Sequence, residues 1–319
     1  MTILSIFKYA RENNISDIHI IENDCVYYRE YGEIRVDKNF SKITKEEILK
    51  LCEGKMGEDF IYIDDFNNRY RISSFLTMNR LAMVIRLIKD KPILLKNKFI
   101  NELIDKKILN LKDGLILVTG ITGSGKSTTL ANIIERFNEN KYYKILTIED
   151  PIEYVFENKK SLIVQREITQ DISSYEEALK NSLRQDPDIV MVGEIRDEES
   201  LYAVLKLAET GHLVLTTLHT SNATESINRI LSMVSSERKD FIRNQLSSVL
   251  RFILSQDLYI DRQKRKIIPI FEVLNNTKAV ANLIMNNKIN QIPNLIESGS
   301  TNHMITKEKY FTAIENTEF

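Results

Sequence analysis

Residues 115–128 read Leu115-Ile-Leu-Val-Thr119-Gly120-Ile-Thr-Gly-Ser-Gly-Lys126-Ser127-Thr128. An apolar run ends, the chain turns on glycines, and a helix-prone segment follows through Thr129-Leu-Ala-Asn-Ile-Ile-Glu-Arg136. This is Gly-x-x-x-x-Gly-Lys-Ser in the strand–turn–helix setting its chemistry needs. Glycines let successive backbone N–H groups turn toward β-phosphate oxygens. The N-terminus of the following helix adds the positive end of its dipole. Lys126 places a point charge between β- and γ-phosphates, and Ser127 offers a hydroxyl to Mg²⁺. A Gly/Ser loop could carry such a string by chance, but a strand before it and a helix after it argue against that. The expected set around ATP or GTP is Gly120, Thr122, Gly123, Ser124, Gly125, Lys126, Ser127 and Thr128.

Composition limits what surrounds this loop. A length of 319 residues allows about two domains. Net charge is −1, so nothing global suggests a nucleic-acid coat, and no nucleic-acid partner is expected. Lysine clusters at 89–98 and 264–266 read as solvated faces. The two cysteines, Cys25 and Cys52, support neither a disulfide framework nor a cysteine zinc site. No apolar run approaches the roughly 18 residues needed to span a bilayer. Residues 1–11 carry their charge after the apolar part and read as an amphipathic helix, not a signal peptide. A cytoplasmic protein is expected, with peripheral membrane association open to it.

The chain divides near residue 95. Residues 1–95 read as a small α+β domain. Ile3, Leu4, Phe7 and Ala10 share a helical face. Strand-like runs follow at 17–21, 25–29, 33–36, 60–63, 69–75 and 81–88. Thr44-Lys-Glu-Glu47 is a capping box that opens a helix through Leu51, and Lys89-Asp-Lys-Pro92 reads as a linker. Residues 96–319 change character. Four runs, 115–119, 145–148, 189–192 and 213–218, are apolar almost throughout, as parallel strands covered on both faces are. Helical segments separate them, one led by a second capping box at Ser174-Tyr-Glu-Glu177. The pattern predicts a doubly wound α/β core. The spacing of Ile242, Leu246, Val249, Leu250 and Ile253 predicts a helix over 237–256. A basic hairpin (258–274) and C-terminal helices complete the expected order.

Three further segments carry chemistry. Asp188-Ile-Val-Met-Val-Gly-Glu194 is an apolar strand ending in an acid, the form a magnesium-holding carboxylate takes. Alone the signal is weak, since acids end many strands. Ile148-Glu149-Asp150-Pro151-Ile-Glu153 also follows an apolar strand. Hydrolysis needs a carboxylate to orient or deprotonate water, yet on spacing alone this is as readily an acidic turn. Gly211-His212-Leu-Val-Leu-Thr-Thr-Leu-His219 brackets a strand with two histidines. A lone histidine there is more often structural. His219 would nevertheless leave the sheet on the phosphate side, where an imidazole can sense a γ-phosphate.

In order, these segments resemble the secretion ATPase superfamily of type II secretion and type IV pilus motors: Walker A (120–128), aspartate box (147–153), Walker B (183–197) and histidine box (210–220). The likeness extends to Ser16-Asp-Ile-His-Ile20 and to Arg71, Arg80 and Arg86, and covers nearly the whole chain. It is most similar to the pilus retraction ATPases, because a longer N-terminal region and a four-cysteine zinc module are missing and the tail 287–299 matches. Ile121 stands where the family usually has proline, and 279–286 lacks the two arginines and the glutamate of the retraction motif. The resemblance implies a RecA-like P-loop ATPase core, a PAS-like N-terminal domain and C-terminal helices. It further implies ATP and Mg²⁺ bound between subunits of a homohexamer, held in part by Ser127. Glu149 is then the water-activating base and Glu194 the Mg²⁺ carboxylate, acting directly or through water. Arg71, Arg80 and Arg86 serve as arginine fingers and His219 lines the catalytic centre. The implied output is pilus disassembly and retraction. The implied partners are an inner-membrane pilus platform protein and an assembly ATPase paralogue. The alternatives are a pilus assembly or type II secretion ATPase, a conjugation-type traffic ATPase, and a low-turnover regulatory ring.

Overall fold

The computed structural model describes residues 3–13, 15–37, 40, 42–88, 94–95, 97–168, 170–261, 266–299 and 302–318. The expected linker at 89–92 and the hairpin's Lys264 and Arg265 lie outside the described residues. The chain forms two compact units, Met1–Lys91 with Ile260–Ile267 and Pro92–Tyr259 with Ile268–Phe319.

In the first unit, α1 (Ile3–Glu12) buries Ile3, Ile6, Phe7 and Ala10. Leu4 is exposed instead, because 3, 6, 7 and 10 form the i, i+3, i+4, i+7 stripe and Leu4 falls beside it. Strands β1 (Asp17–Ile21), β2 (Val26–Glu30) and β3 (Glu33–Asp37) precede α2 (Lys45–Cys52). The Thr44 hydroxyl accepts from the Glu47 N–H at 3.3 Å, and the Glu47 carboxylate accepts from the Thr44 N–H at 3.0 Å. That reciprocal pair is the capping box the sequence predicts. Strands β4 (Asp59–Ile63), β5 (Arg69–Thr77) and β6 (Arg80–Leu87) complete an antiparallel sheet in the order β3-β2-β1-β6-β5-β4. One face supplies Ile18, Ile20, Tyr70, Ile72, Met83 and Ile85 to a core with both helices, and Phe7 stacks on Tyr70 with ring centroids 4.2 Å apart.

The second unit begins with α3 (Lys98–Lys106), β7 (Gly114–Thr119), α4 (Lys126–Asn140), β8 (Lys144–Glu149) and β9 (Leu162–Glu167). It continues with α5 (Tyr175–Ser182), β10 (Ile189–Val192), α6 (Glu198–Glu209), β11 (Leu213–Leu218), α7 (Ala223–Ser232) and α8 (Lys239–Val249). It ends with β12 (Leu250–Asp261), β13 (Lys266–Asn275), α9 (Lys278–Met285), α10 (Ile292–Ser298) and α11 (Lys307–Glu318). The sheet order is β13-β12-β7-β11-β10-β8-β9, parallel from β12 to β9. Alternate residues of the four apolar strands enter two cores. Leu115, Leu117, Leu146, Val190 and Val214 face α5–α10, while Ile116, Val118, Ile145, Met191 and Leu215 face α3, α4 and α11. Helical cover on both faces explains why these strands show no polar alternation.

Three expectations change. The helix predicted over 237–256 ends at Val249, and Leu250–Asp261 is a strand beside β7. Leu250, Phe252, Ile253 and Leu254 are all buried, and a run apolar on both faces reads alike as helix or strand. The hairpin therefore begins near 250 rather than 258. At 174–177 only half the capping box forms: the Ser174 hydroxyl accepts from the Glu177 N–H at 3.2 Å, while the Glu177 carboxylate takes the Ser173 hydroxyl. Strand β9 has no counterpart among the predicted runs.

Candidate active site

Parallel strands end on the same side of a sheet, so their C-terminal loops meet at one edge. Here that edge collects the loop 120–125 after β7, Glu149 at the end of β8, Glu194 after β10 and His219 after β11. The loop needs its glycines. Gly120, Gly123 and Gly125 have φ of 151°, 81° and 85°, where side chains are strained. A Cβ on Gly120 would also lie 2.3 Å from the Gln256 carbonyl oxygen. Helix α4 starts at Gly125 with no side-chain cap, so its first N–H groups face whatever the loop encloses.

Lys126 is buried, and its Nζ donates to the carbonyls of Gly120 at 2.8 Å and Ile121 at 3.1 Å. Burial lowers its pKa, while Glu194 and Glu153 act the other way. The same Nζ is 3.4 Å from His219 Nδ1, and Thr122 Oγ1 is also 3.4 Å from that nitrogen. His219 Nε2 is 3.1 Å from Glu194 Oε2. Lys126, His219 and Glu194 therefore form one chain of contacts. Glu194 has a second partner, Arg196 Nε at 2.5 Å. Arg196 reaches on to Asp150 at 3.0 Å and lies over the Tyr175 ring, 5.5 Å from its centroid.

Glu149 is buried and distinct from Glu194. Its Oε1 accepts from the Thr147 hydroxyl at 2.7 Å and from Gln165 Nε2 at 3.3 Å, and its Oε2 from the Glu153 N–H at 3.4 Å. Desolvation is the largest influence and pushes its pKa up to about 7 against those hydrogen bonds. A carboxylate poised there suits proton transfer near neutral pH. Thr128 is placed differently from its neighbours: its Oγ1 lies 2.7 Å from the Tyr154 hydroxyl and ties the first turn of α4 to the segment that follows Glu153. Ser127, the second residue of α4, is half-buried.

The arginines belong to the first unit. Arg71 pairs with Asp59 at 3.1 Å, Arg86 with Asp17 at 2.8 Å and Arg80 with Asp24 at 3.5 Å. Arg71 and Arg86 stand directly opposite each other on β5 and β6. Arg80 opposes Thr77 at the other end of β6, about 20 Å along the strand. Sequence reasoning missed Gln256, Thr129, Arg196 and Tyr175. The polar pair Ser255-Gln256 inside an apolar run was the available signal for the first, and the Glu194-x-Arg196 spacing for the third.

A phosphate-binding loop at the switch edge of a parallel sheet, flanked by a buried carboxylate, defines a nucleotide-binding P-loop ATPase. The chain belongs to the Type II/IV secretion system protein family, whose profile matches residues 61–266. The type IV pilus retraction ATPase PilT of Pseudomonas aeruginosa is 35% identical over 96% of this chain and 92% of its own length. A twitching motility protein of Neisseria gonorrhoeae is 42% identical over 84% of this chain and 72% of its own. The crystal structure of the pilus retraction motor PilT with bound ADP superposes with a TM-score of 0.84 at 36% identity, covering 99% of this chain and 93% of that one. This protein is thus a PilT-like secretion ATPase with the mixed, largely parallel core and antiparallel N-terminal sheet expected of one.

Proposed function

We propose that this chain is the ATP-hydrolysing motor of type IV pilus retraction and works as a homohexameric ring. One observation carries the reading. The phosphate loop, two acids and a histidine share one sheet edge in a chain 35% identical to a pilus retraction ATPase along nearly its full length. Loop N–H groups and Lys126 hold the β- and γ-phosphates. Glu149 takes a proton from the attacking water, and the γ-phosphoryl group passes to that water to give ADP and phosphate. Glu194, steadied by Arg196 and His219, faces the phosphates from β10.

The donors fit Mg²⁺. Among the described residues no cluster of three or more acids, histidines or cysteines could hold a metal alone. Mg²⁺ characteristically binds through one or two protein oxygens, substrate phosphates and water, and Ser127 and Glu194 supply such oxygens. When bound, it neutralises charge developing on the phosphates.

Arg71 and Arg86 break a local rule, since like charges directly opposite across strands destabilise a sheet. Each is relieved by its own aspartate, Asp59 and Asp17. That arrangement suits guanidinium groups kept for use elsewhere, and with Arg80 they are the finger candidates toward a neighbouring subunit. The ring would work in the cytoplasm against an inner-membrane platform protein, alongside an assembly ATPase paralogue. Among the described residues no helix is long and apolar enough to cross a membrane. The test is deletion of the gene, with complementation by wild type or Lys126→Ala. Hyperpiliated, non-twitching cells rescued only by wild type are expected. Loss of surface pili on deletion would instead assign the protein to assembly.

A further inference from the structure

We propose that Gln256 is a positioning residue for the phosphate loop, one whose side-chain amide sets the direction of the Gly125 N–H. The inference rests on the reading of residues 120–127 as the nucleotide site.

Gln256 is 1% exposed on β12, where the neighbouring Ser255 stands opposite Thr119 at the end of β7. Its Nε2 donates to the Ser124 carbonyl at 2.7 Å, and its Oε1 accepts from the Thr129 hydroxyl at 2.5 Å. One side chain thus grips the loop before Gly125 and the first turn of α4 after it. The contact is close at both ends of the loop. A Cβ on Gly120 would lie 2.3 Å from the Gln256 carbonyl oxygen, and one on Gly125 would lie 2.8 Å from Nε2.

A buried amide is costly unless both of its ends are hydrogen-bonded, so this bridge tolerates few alternative geometries. The geometry has a consequence for the ligand. In a planar trans peptide the C=O of one residue and the N–H of the next point in opposite directions. Drawing the Ser124 C=O toward β12 turns the Gly125 N–H away from it, toward the enclosed side of the loop. An amide that is already oriented does not have to be ordered when phosphate arrives.

The residues beside Gln256 keep it in place. The Ser255 hydroxyl donates to the Ser221 carbonyl at 2.8 Å. Asp257 pairs with Lys307 at 2.6 Å, and the Lys307 ammonium also donates to the Ser221 carbonyl at 2.6 Å. Three consecutive residues of β12 therefore tie together the phosphate loop, the loop after His219 and the start of α11. This is the support a precise site needs behind its contacting groups.

The experiment measures ADP affinity of the full-length chain by calorimetry, with thermal melts of the ligand-free protein alongside. Gln256→Leu keeps the volume and deletes both hydrogen bonds, leaving the Ser124 carbonyl buried and unsatisfied. It should weaken ADP binding by about 10- to 100-fold. Gln256→Glu separates positioning from packing. As a carboxylate it cannot donate to the Ser124 carbonyl, whereas its protonated form can. Burial raises the pKa of such a carboxyl, so the affinity of Gln256→Glu relative to wild type should recover as pH falls from about 8 to about 6. A residue that only fills space gives a flat ratio. Should Gln256→Leu fail to fold, Thr129→Val removes one half of the bridge and should cost about 3- to 10-fold. Lys126→Ala is the control. If it loses ADP while the Gln256 variants bind within about twofold of wild type at every pH, the inference is overturned and the loop reading stands. If Lys126→Ala binds ADP as wild type does, both fall together.

Discussion

Replacing Glu149 by glutamine should make this protein more stable at alkaline pH and nearly inactive, and the two effects have one cause. Desolvation raises the Glu149 carboxyl from its ordinary value of 4.5 to about 7. An acid whose pKa is higher in the folded state gives stability that is fully present below 4.5 and lost as pH rises through about 7. At pH 8 the folded protein therefore carries an ionised, buried carboxylate at a cost of about 3 kcal/mol, since each tenfold change in a protonation equilibrium is worth about 1.4 kcal/mol. Glutamine has no charge to desolvate. Its carbonyl still accepts from Thr147 and Gln165, the partners of Glu149 Oε1. Nucleotide-free Glu149→Gln should melt several degrees above wild type near pH 8. The gap should narrow as pH falls and close near about pH 4, where the carboxyl is mostly protonated in the folded and unfolded chain alike. ATP turnover should fall by about 10²- to 10⁴-fold, the usual worth of a general base. Wild-type turnover should rise as pH passes through about 7, where Glu149 ionises, and level above about 8. Melts at several pH values with a steady-state ATPase assay measure both effects. A variant no more stable than wild type at pH 8, or a difference independent of pH, would refute the assignment of a buried, raised carboxyl. Near-normal turnover would refute its role as base.

Other variants probe the rest of the site. Glu194→Gln should raise the Mg²⁺ concentration needed for half-maximal turnover; if Mg²⁺ dependence is unchanged and only the chemical step is lost, Glu149 and Glu194 have exchanged roles. Mixed rings test the arginines. Subunits bearing Arg71→Ala and Arg86→Ala, assembled with Lys126→Ala subunits, should regain part of the activity each lacks alone, because a finger is worth about 10³- to 10⁵-fold in rate. No recovery in rings proven to be mixed would rule out a site shared between subunits.

Much of this was legible in the sequence because local chemistry and fold agreed. The N-terminal runs are rich in Ile, Tyr, Phe and Val, so they could be placed within a residue or two, and Thr44 and Glu47 announced their own helix. The four central strands betrayed their burial on both faces by lacking alternation. The same feature hid β12: with Leu250, Phe252, Ile253 and Leu254 all buried, nothing separated strand from helix. Strand β9 was missed because Gln165, Arg166 and Glu167 read as polar surface, although Gln165 bonds Glu149 and Glu167 accepts from the Ile152 N–H at 3.0 Å. Lys126 stood out by type and spacing, while Glu149, Glu194 and His219 stood out only through the order of the four segments and their resemblance to the secretion ATPases. Their supports did not. Gln256 is more than 120 residues from the loop it contacts, and only the parallel pairing of β12 with β7 brings it there. Arg196 sat in plain view, but its reach to Asp150 and Tyr175 depends on β8 and β10 being neighbours.

The most direct measurement is steady-state ATP hydrolysis by the purified, assembled chain beside its Lys126→Ala variant. The expected result is sustained turnover that requires Mg²⁺ and is nearly abolished by Lys126→Ala without loss of fold, because this lysine serves the phosphates and not the core. An assembled wild-type ring that binds ATP but does not turn it over, or Lys126→Ala activity near wild type, would contradict it.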